Sequence, residues 1–148
     1  MLEELFRESI NKNGWLKVRL RGKSMRPFLN DGEILIVTRV LPEDVSVGDI
    51  ILYSGDTGMV CHRVYRKENN GFEIKPDAGM RPETRIGRGQ VIGKVSAIEK
   101  GGRILCLDQW PCRLSGILIS RLSIITACLY MIAGKIAYLR GMLRATEK

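Results

Sequence analysis

Between Trp15 and Leu107 the chain is cut by turn signals at close intervals: Asn30-Asp31-Gly32, Pro42 to Gly48, Asp56-Thr57-Gly58, Asn69-Asn70-Gly71 and Lys100-Gly101-Gly102. Nothing constrains the fold more. Most of the runs between these signals are short, and they are rich in residues that fit a pleated sheet. Trp15 to Leu20 alternates, with Trp15, Lys17 and Arg19 on one side and Leu16, Val18 and Leu20 on the other, which is the period of a half-buried strand. Glu33 to Val40 is a further strand. Ile50 to Tyr53 and Met59 to Tyr65 flank a turn as a hairpin, a strand follows through Ile74, and Val91 to Ile98 with Arg103 to Leu107 make another hairpin. Short strands joined by tight turns predict a mainly β, coiled and mostly antiparallel domain over residues 15–108.

Two helical segments are expected to flank it. Leu2, Leu5, Phe6 and Ile10 recur at helical spacing and Asn13-Gly14 is a stop signal, so residues 2–12 read as a short amphipathic helix within an N-terminal segment 1–14. Composition changes after Asp108-Gln109-Trp110-Pro111. Leu122, Ile125, Leu129, Ile132, Ile136, Leu139 and Leu143 alternate steps of three and four, which predicts a long helix with an apolar seam in an appendage 109–148. That appendage has no acidic residue before Glu147 but carries Arg113, Arg121, Lys135, Arg140 and Arg144. Three readings are open for it. A membrane span needs about 20 apolar residues, against 13 in the uncharged run Leu122 to Gly134. A cationic helix can lie on an anionic membrane surface, and an apolar seam can pack on the β domain or on a second copy of the chain.

The net charge of +8 favours anionic surroundings without choosing among them. Four cysteines without a CxxC spacing and a single histidine do not make a zinc ligand set, so no metal and no cofactor are expected. Met1 to Glu8 is charged throughout and lacks the apolar core of a secretory signal or leading anchor. The expectation is a cytoplasmic protein, or one held at a membrane by its C-terminal helix.

The chemistry gathers at Gly22-Lys23-Ser24-Met25-Arg26-Pro27, a serine in a turn between two strands. A serine hydroxyl needs a base to become a nucleophile. The one histidine, His62, lies in the strand Met59 to Tyr65, and its ordinary pKa of roughly 6.5 lets it accept a proton at neutral pH. Cys61 must face the other side of that strand, so the two cannot form a thiol–imidazole pair. An acid that fixes the imidazole tautomer would complete the site. Asp77, in Lys75-Pro76-Asp77-Ala78-Gly79, and Glu83 are the two candidates. Each residue alone also reads as a turn, cap or core residue, and spacing by itself does not choose.

Five segments taken together resemble, in order and rough spacing, the successive boxes of type I signal peptidases: Gly22 to Pro27, Val47-Gly48-Asp49-Ile50-Ile51, Cys61-His62-Arg63-Val64, Lys75-Pro76-Asp77-Ala78 and Val91-Ile92-Gly93-Lys94-Val95. The chain is similar to the group that joins those enzymes with self-cleaving repressors, and specifically to its histidine-base branch. The resemblance implies a coiled β domain, Ser24 as nucleophile, His62 as base, and a precursor peptide bound in extended form and cut by a serine endopeptidase. Pro76-Asp77-Ala78 stands where the pattern usually reads Gly-Asp-Asn, and Glu83 where it usually has aspartate. The family's N-terminal anchor has no counterpart, which implies that the C-terminal helix replaces it or that no tether is used. Nucleic acid is not an expected partner. The alternative is a catalytically silent protein that binds peptides or membranes on the same fold.

Overall fold

The structure is a computed structural model that describes residues 2–79, 82 and 84–107. It opens with α1 (Leu2–Asn13), where Glu3 and Glu4 in the first turn and Lys12 in the last suit the helix dipole. The Gly14 N–H closes the helix on the Ile10 carbonyl at 2.9 Å, with Gly14 at φ 77°. Eight strands follow: β1 (Trp15–Arg19), β2 (Ile34–Thr38), β3 (Ile50–Gly55), β4 (Gly58–Glu68), β5 (Gly71–Lys75), β6 (Thr84–Gly87), β7 (Val91–Lys100) and β8 (Arg103–Cys106). Short 3-10 turns sit at Pro42–Asp44 and Arg88–Gln90. The mainly β architecture with a short leading helix is the one expected. The strand β6 is an addition, with Ile86 its one buried residue. The expected C-terminal helix lies outside the described residues.

All strands pair antiparallel in the order β1-β2-β7-β3-β4-β5-β6, with β8 also on β7. β7 is the spine of this sheet. β2 runs along one of its edges, while β3 and β8 share the other, β3 meeting Val91 to Lys94 and β8 meeting Ala97 to Lys100. Register slips at Ile36/Val37, Leu52/Tyr53 and Val64/Arg66 add the local twist that coils the sheet.

Two apolar cores lie on opposite faces of β3. Ile50 and Leu52 join Leu16, Leu20, Met25, Leu29, Leu35 and Cys61 in the first. Ile51 and Tyr53 join Val45, Val64, Phe72, Ile74 and Ile86 in the second. The period of two along β3 therefore feeds both cores at once, as a strand buried on both faces requires. α1 seals the first core through Ile10, which is 2% exposed.

Candidate active site

Ser24 sits in the connection between β1 and β2. The neck of this loop is closed by the Leu20 N–H on the Glu33 carbonyl at 2.8 Å and by the Gly32 N–H on the Leu20 carbonyl at 2.9 Å. Met25 and Leu29, 1% and 0% exposed, drive the loop into the first core, and the Leu29 N–H bonds the Met25 carbonyl at 2.9 Å. Apolar anchors directly after Ser24 thus hold its backbone while its side chain stays exposed. Gly22 takes φ 101°, a region that disfavours side chains, and its N–H bonds Asp31 Oδ1 at 2.8 Å. Its presence there is explained by the turn itself.

His62 projects from the middle of β4 and is 5% exposed. Its Nε2 lies 3.2 Å from Ser24 Oγ, and its Nδ1 lies 3.3 Å from the Tyr53 hydroxyl. These lengths are at the outer edge of hydrogen bonding, as resting contacts of this type commonly are. Hairpin pairing explains why Tyr53 is there. Ile51 is opposite His62 and Tyr53 is opposite Val60, so Tyr53 and His62 are diagonal neighbours on one face. Cys61 faces the first core instead. Burial pushes its thiol up to about 12, a shift that outweighs the charge of nearby Arg63. A thiol so placed stays protonated and inert.

Asp77 is elsewhere. Both of its oxygens are on Arg63, Oδ1 2.8 Å from Nε and Oδ2 2.7 Å from Nη2, with both side chains almost fully buried. Arg63 follows His62 on β4 and so points to the opposite face. Of the two acids offered for orienting His62, Asp77 or Glu83, the first is held here by Arg63, whose fork matches a carboxylate bidentately and takes both its oxygens. Asp77 still reaches Ser24 through the chain, since the next residue, Ala78, donates its N–H to the Ser24 carbonyl at 2.9 Å. Arg63 also donates to the Gly48 carbonyl at 2.8 Å and lies 4.9 Å from the centre of the Phe28 ring in the Ser24 loop. One guanidinium therefore joins three of the segments singled out in the sequence. Glu83 lies outside the described residues.

Lys75 is opposite Arg63 in the β4–β5 pairing and is 1% exposed. Burial holds its ammonium below the usual lysine range, and the charge of Asp77 only partly offsets this. In front of Ser24 a cavity of about 450 Å³ runs between the end of β1 and the β3–β4 turn, lined by Val18, Leu20, Leu35, Leu52, Met59 and Val60 among others. β1 is at the edge of the sheet order, so the cavity adjoins an edge strand. Among the described residues no group of three or more His, Cys, Asp or Glu is placed to hold a metal ion, and no helix is long and apolar enough to cross a membrane.

Sequence reasoning missed Tyr53 and the task of Arg63. The signal for Tyr53 was available, because a two-residue turn at Asp56-Thr57 fixes the hairpin register.

An exposed serine backed by a buried histidine, on a coiled antiparallel sheet with a cavity before it, has the outline of a serine peptidase domain. The chain belongs to the family described as Peptidase S24-like, whose profile matches residues 3–96. That family consists of serine peptidases, and some members act on themselves or are inactive. No curated protein and no solved structure matches the chain.

Proposed function

We propose that the protein is a serine endopeptidase of the signal-peptidase kind, in its histidine-base branch, that removes a leader from a precursor peptide. The observation that carries this reading is the 3.2 Å approach of His62 Nε2 to Ser24 Oγ. In the proposed reaction His62 takes the Ser24 proton as Oγ attacks the scissile carbonyl, then returns it to the leaving amine. Water hydrolyses the acyl-enzyme with His62 again as base. The Ser24 backbone N–H is the proposed donor to the developing oxyanion. The substrate lies extended along the end of β1, with an apolar side chain in the cavity before Ser24, a mode that an edge strand next to an apolar cavity favours. The cationic, apolar C-terminal segment is proposed to bring the enzyme to a membrane surface or to a second copy.

The test is cleavage of candidate precursor peptides by wild type and by Ser24→Ala, read by mass spectrometry. Cleavage by wild type that falls by about three orders of magnitude or more in the variant supports the reading. Equal cleavage by both proteins, or none by either, contradicts it.

A further inference from the structure

Cations are matched unevenly over the described residues. Lys17, Arg7 and Lys100 pair with Glu99, Glu3 and Glu33 at 3.0, 2.8 and 3.0 Å. Around Ser24 the matching stops. Arg19 and Arg21 stand at the end of β1, and Lys23 and Arg26 bracket Ser24 in a turn that the Arg26 N–H closes on the Lys23 carbonyl at 3.2 Å. All four are exposed, as Ser24 is, and none of them has an ion pair among the described residues. Arg19 reaches only the Gly32 carbonyl, at 3.4 Å. The two acids of the same loop are engaged elsewhere: Asp31 Oδ1 accepts from the Gly22 N–H at 2.8 Å, and Glu33 is held by Asn30 and Lys100. Arg19 and Arg21 also line the cavity of about 450 Å³ in front of Ser24, and no acidic side chain among the described residues lines it with them.

We infer that this surface selects an acidic peptide, one that carries Asp or Glu beside the apolar residue that enters the cavity. Arg19 and Arg21 receive carboxylates on the β1 side of the scissile bond, and Lys23 and Arg26 receive them next to Ser24. Cations left without countercharge repel one another in the free protein, and an anion bound among them relieves that repulsion, a gain that a neutral peptide does not make. The planar fork of arginine suits a carboxylate in particular. The cavity decides in favour of a peptide over other anions. Its remaining walls include Val18, Leu20, Leu35 and Leu52, so its ligand must offer an apolar side chain and a negative charge within a residue or two of each other. An extended peptide does this by alternation, whereas a nucleic acid or a layer of lipid headgroups meets the exposed charges and leaves the cavity unfilled. This selectivity rests on Ser24 being the nucleophile, as proposed above.

Binding of short fluorescent peptides to full-length Ser24→Ala protein, read by anisotropy, tests this without requiring turnover. The peptides share a central run of leucine and alanine and differ only in their flanking residues, which are Glu, Gln or Lys. At low salt the Glu peptide is expected to bind about tenfold tighter than the Gln peptide, the size expected for two exposed charge pairs, and the Lys peptide more weakly than either. The preference should shrink in about 1 M salt, where the screening length is about 3 Å. Adding Arg19→Gln with Arg21→Gln is expected to remove most of it. Adding Arg140→Gln with Arg144→Gln, which takes the same charge from the C-terminal segment, is expected to keep it. Equal affinity for the Glu and Gln peptides overturns the inference. So does a preference that survives loss of Arg19 and Arg21, or one that falls as far on loss of Arg140 and Arg144. Phosphatidylglycerol vesicles or duplex DNA that bind through Arg19 and Arg21 more tightly than the Glu peptide does overturn it as well. Failure of the catalytic reading is separate: it appears as equal or absent cleavage by wild type and Ser24→Ala, and leaves a preference in binding untouched.

Discussion

Asp77 and Arg63 form a buried, bidentate ion pair. Removing one partner of a buried, bidentate pair leaves the other charged and unsolvated, so Asp77→Ala is expected to destabilise the fold by about 3–5 kcal/mol, measured by urea unfolding. It should also loosen Ser24, whose carbonyl is held by the adjacent Ala78 N–H. Cys61 gives a second test at this scale. With its thiol pushed up to about 12 and its side chain in the first core, Cys61 should resist iodoacetamide in the native protein and react only once denaturant is added, whereas the exposed Cys106 reacts at once. Peptide mapping by mass spectrometry reads both. The separation of Cys61 from His62 was legible in the sequence, because it needs only strand alternation, whereas the choice of Ser24 and His62 as a pair came from the resemblance of the five segments and not from spacing. The partner of Asp77 was not legible. It depends on how β4 pairs with β5, and the slip at Val64/Arg66 in that pairing leaves no mark in the sequence.

At the scale of elements, the turn signals gave the strands because each one breaks the chain where the sheet must reverse. α1, β1, β2, the β3–β4 hairpin, β5 and the β7–β8 hairpin fall where the sequence placed them, with ends shifted by a few residues. β6 escaped because four residues with a single buried side chain carry no detectable period; its strand character comes from pairing with β5. The role of β7 was likewise hidden, since nothing local says that one strand will pair with three others. Gly93 marks that crossing. A Cβ there would meet Ile10 Cδ1 at 2.6 Å, the Thr38 carbonyl oxygen at 2.7 Å and Val37 Cγ1 at 2.7 Å. One of these is backbone and cannot move aside cheaply. Gly93→Ala is therefore expected to cost about 1–3 kcal/mol by prying α1 and β2 from β7, read as a lowered thermal midpoint.

For the whole molecule, acid stability follows from the carboxylates that fold into favourable contacts. Glu33, at the neck of the Ser24 loop, is partly buried, which by itself raises its pKa. The Asn30 backbone N–H, Lys100 and the Asn30 side chain outweigh that and hold it below its ordinary value of 4.5. A carboxyl depressed on folding contributes stability that is present above the ordinary value and lost as pH falls through the folded one. The drop in thermal midpoint between about pH 7 and pH 3 should thus be smaller in Glu33→Gln than in wild type, with the variant already lower at neutral pH. What no single residue or strand conveys is that the serine loop, the β3–β4 hairpin and the Asp77 turn converge on one spot. Sequence order hinted at this through the resemblance of the five segments, and Arg63 shows the physical joint.

The claim on which the rest depends is that His62 activates Ser24, and a fluorophosphonate probe tests it most directly. With intact, folded protein the probe should attach to Ser24 alone, as located by peptide mass spectrometry. Attachment should be about a hundredfold slower or more in His62→Gln. No adduct on folded wild type, or equal labelling of the His62→Gln variant, would contradict it.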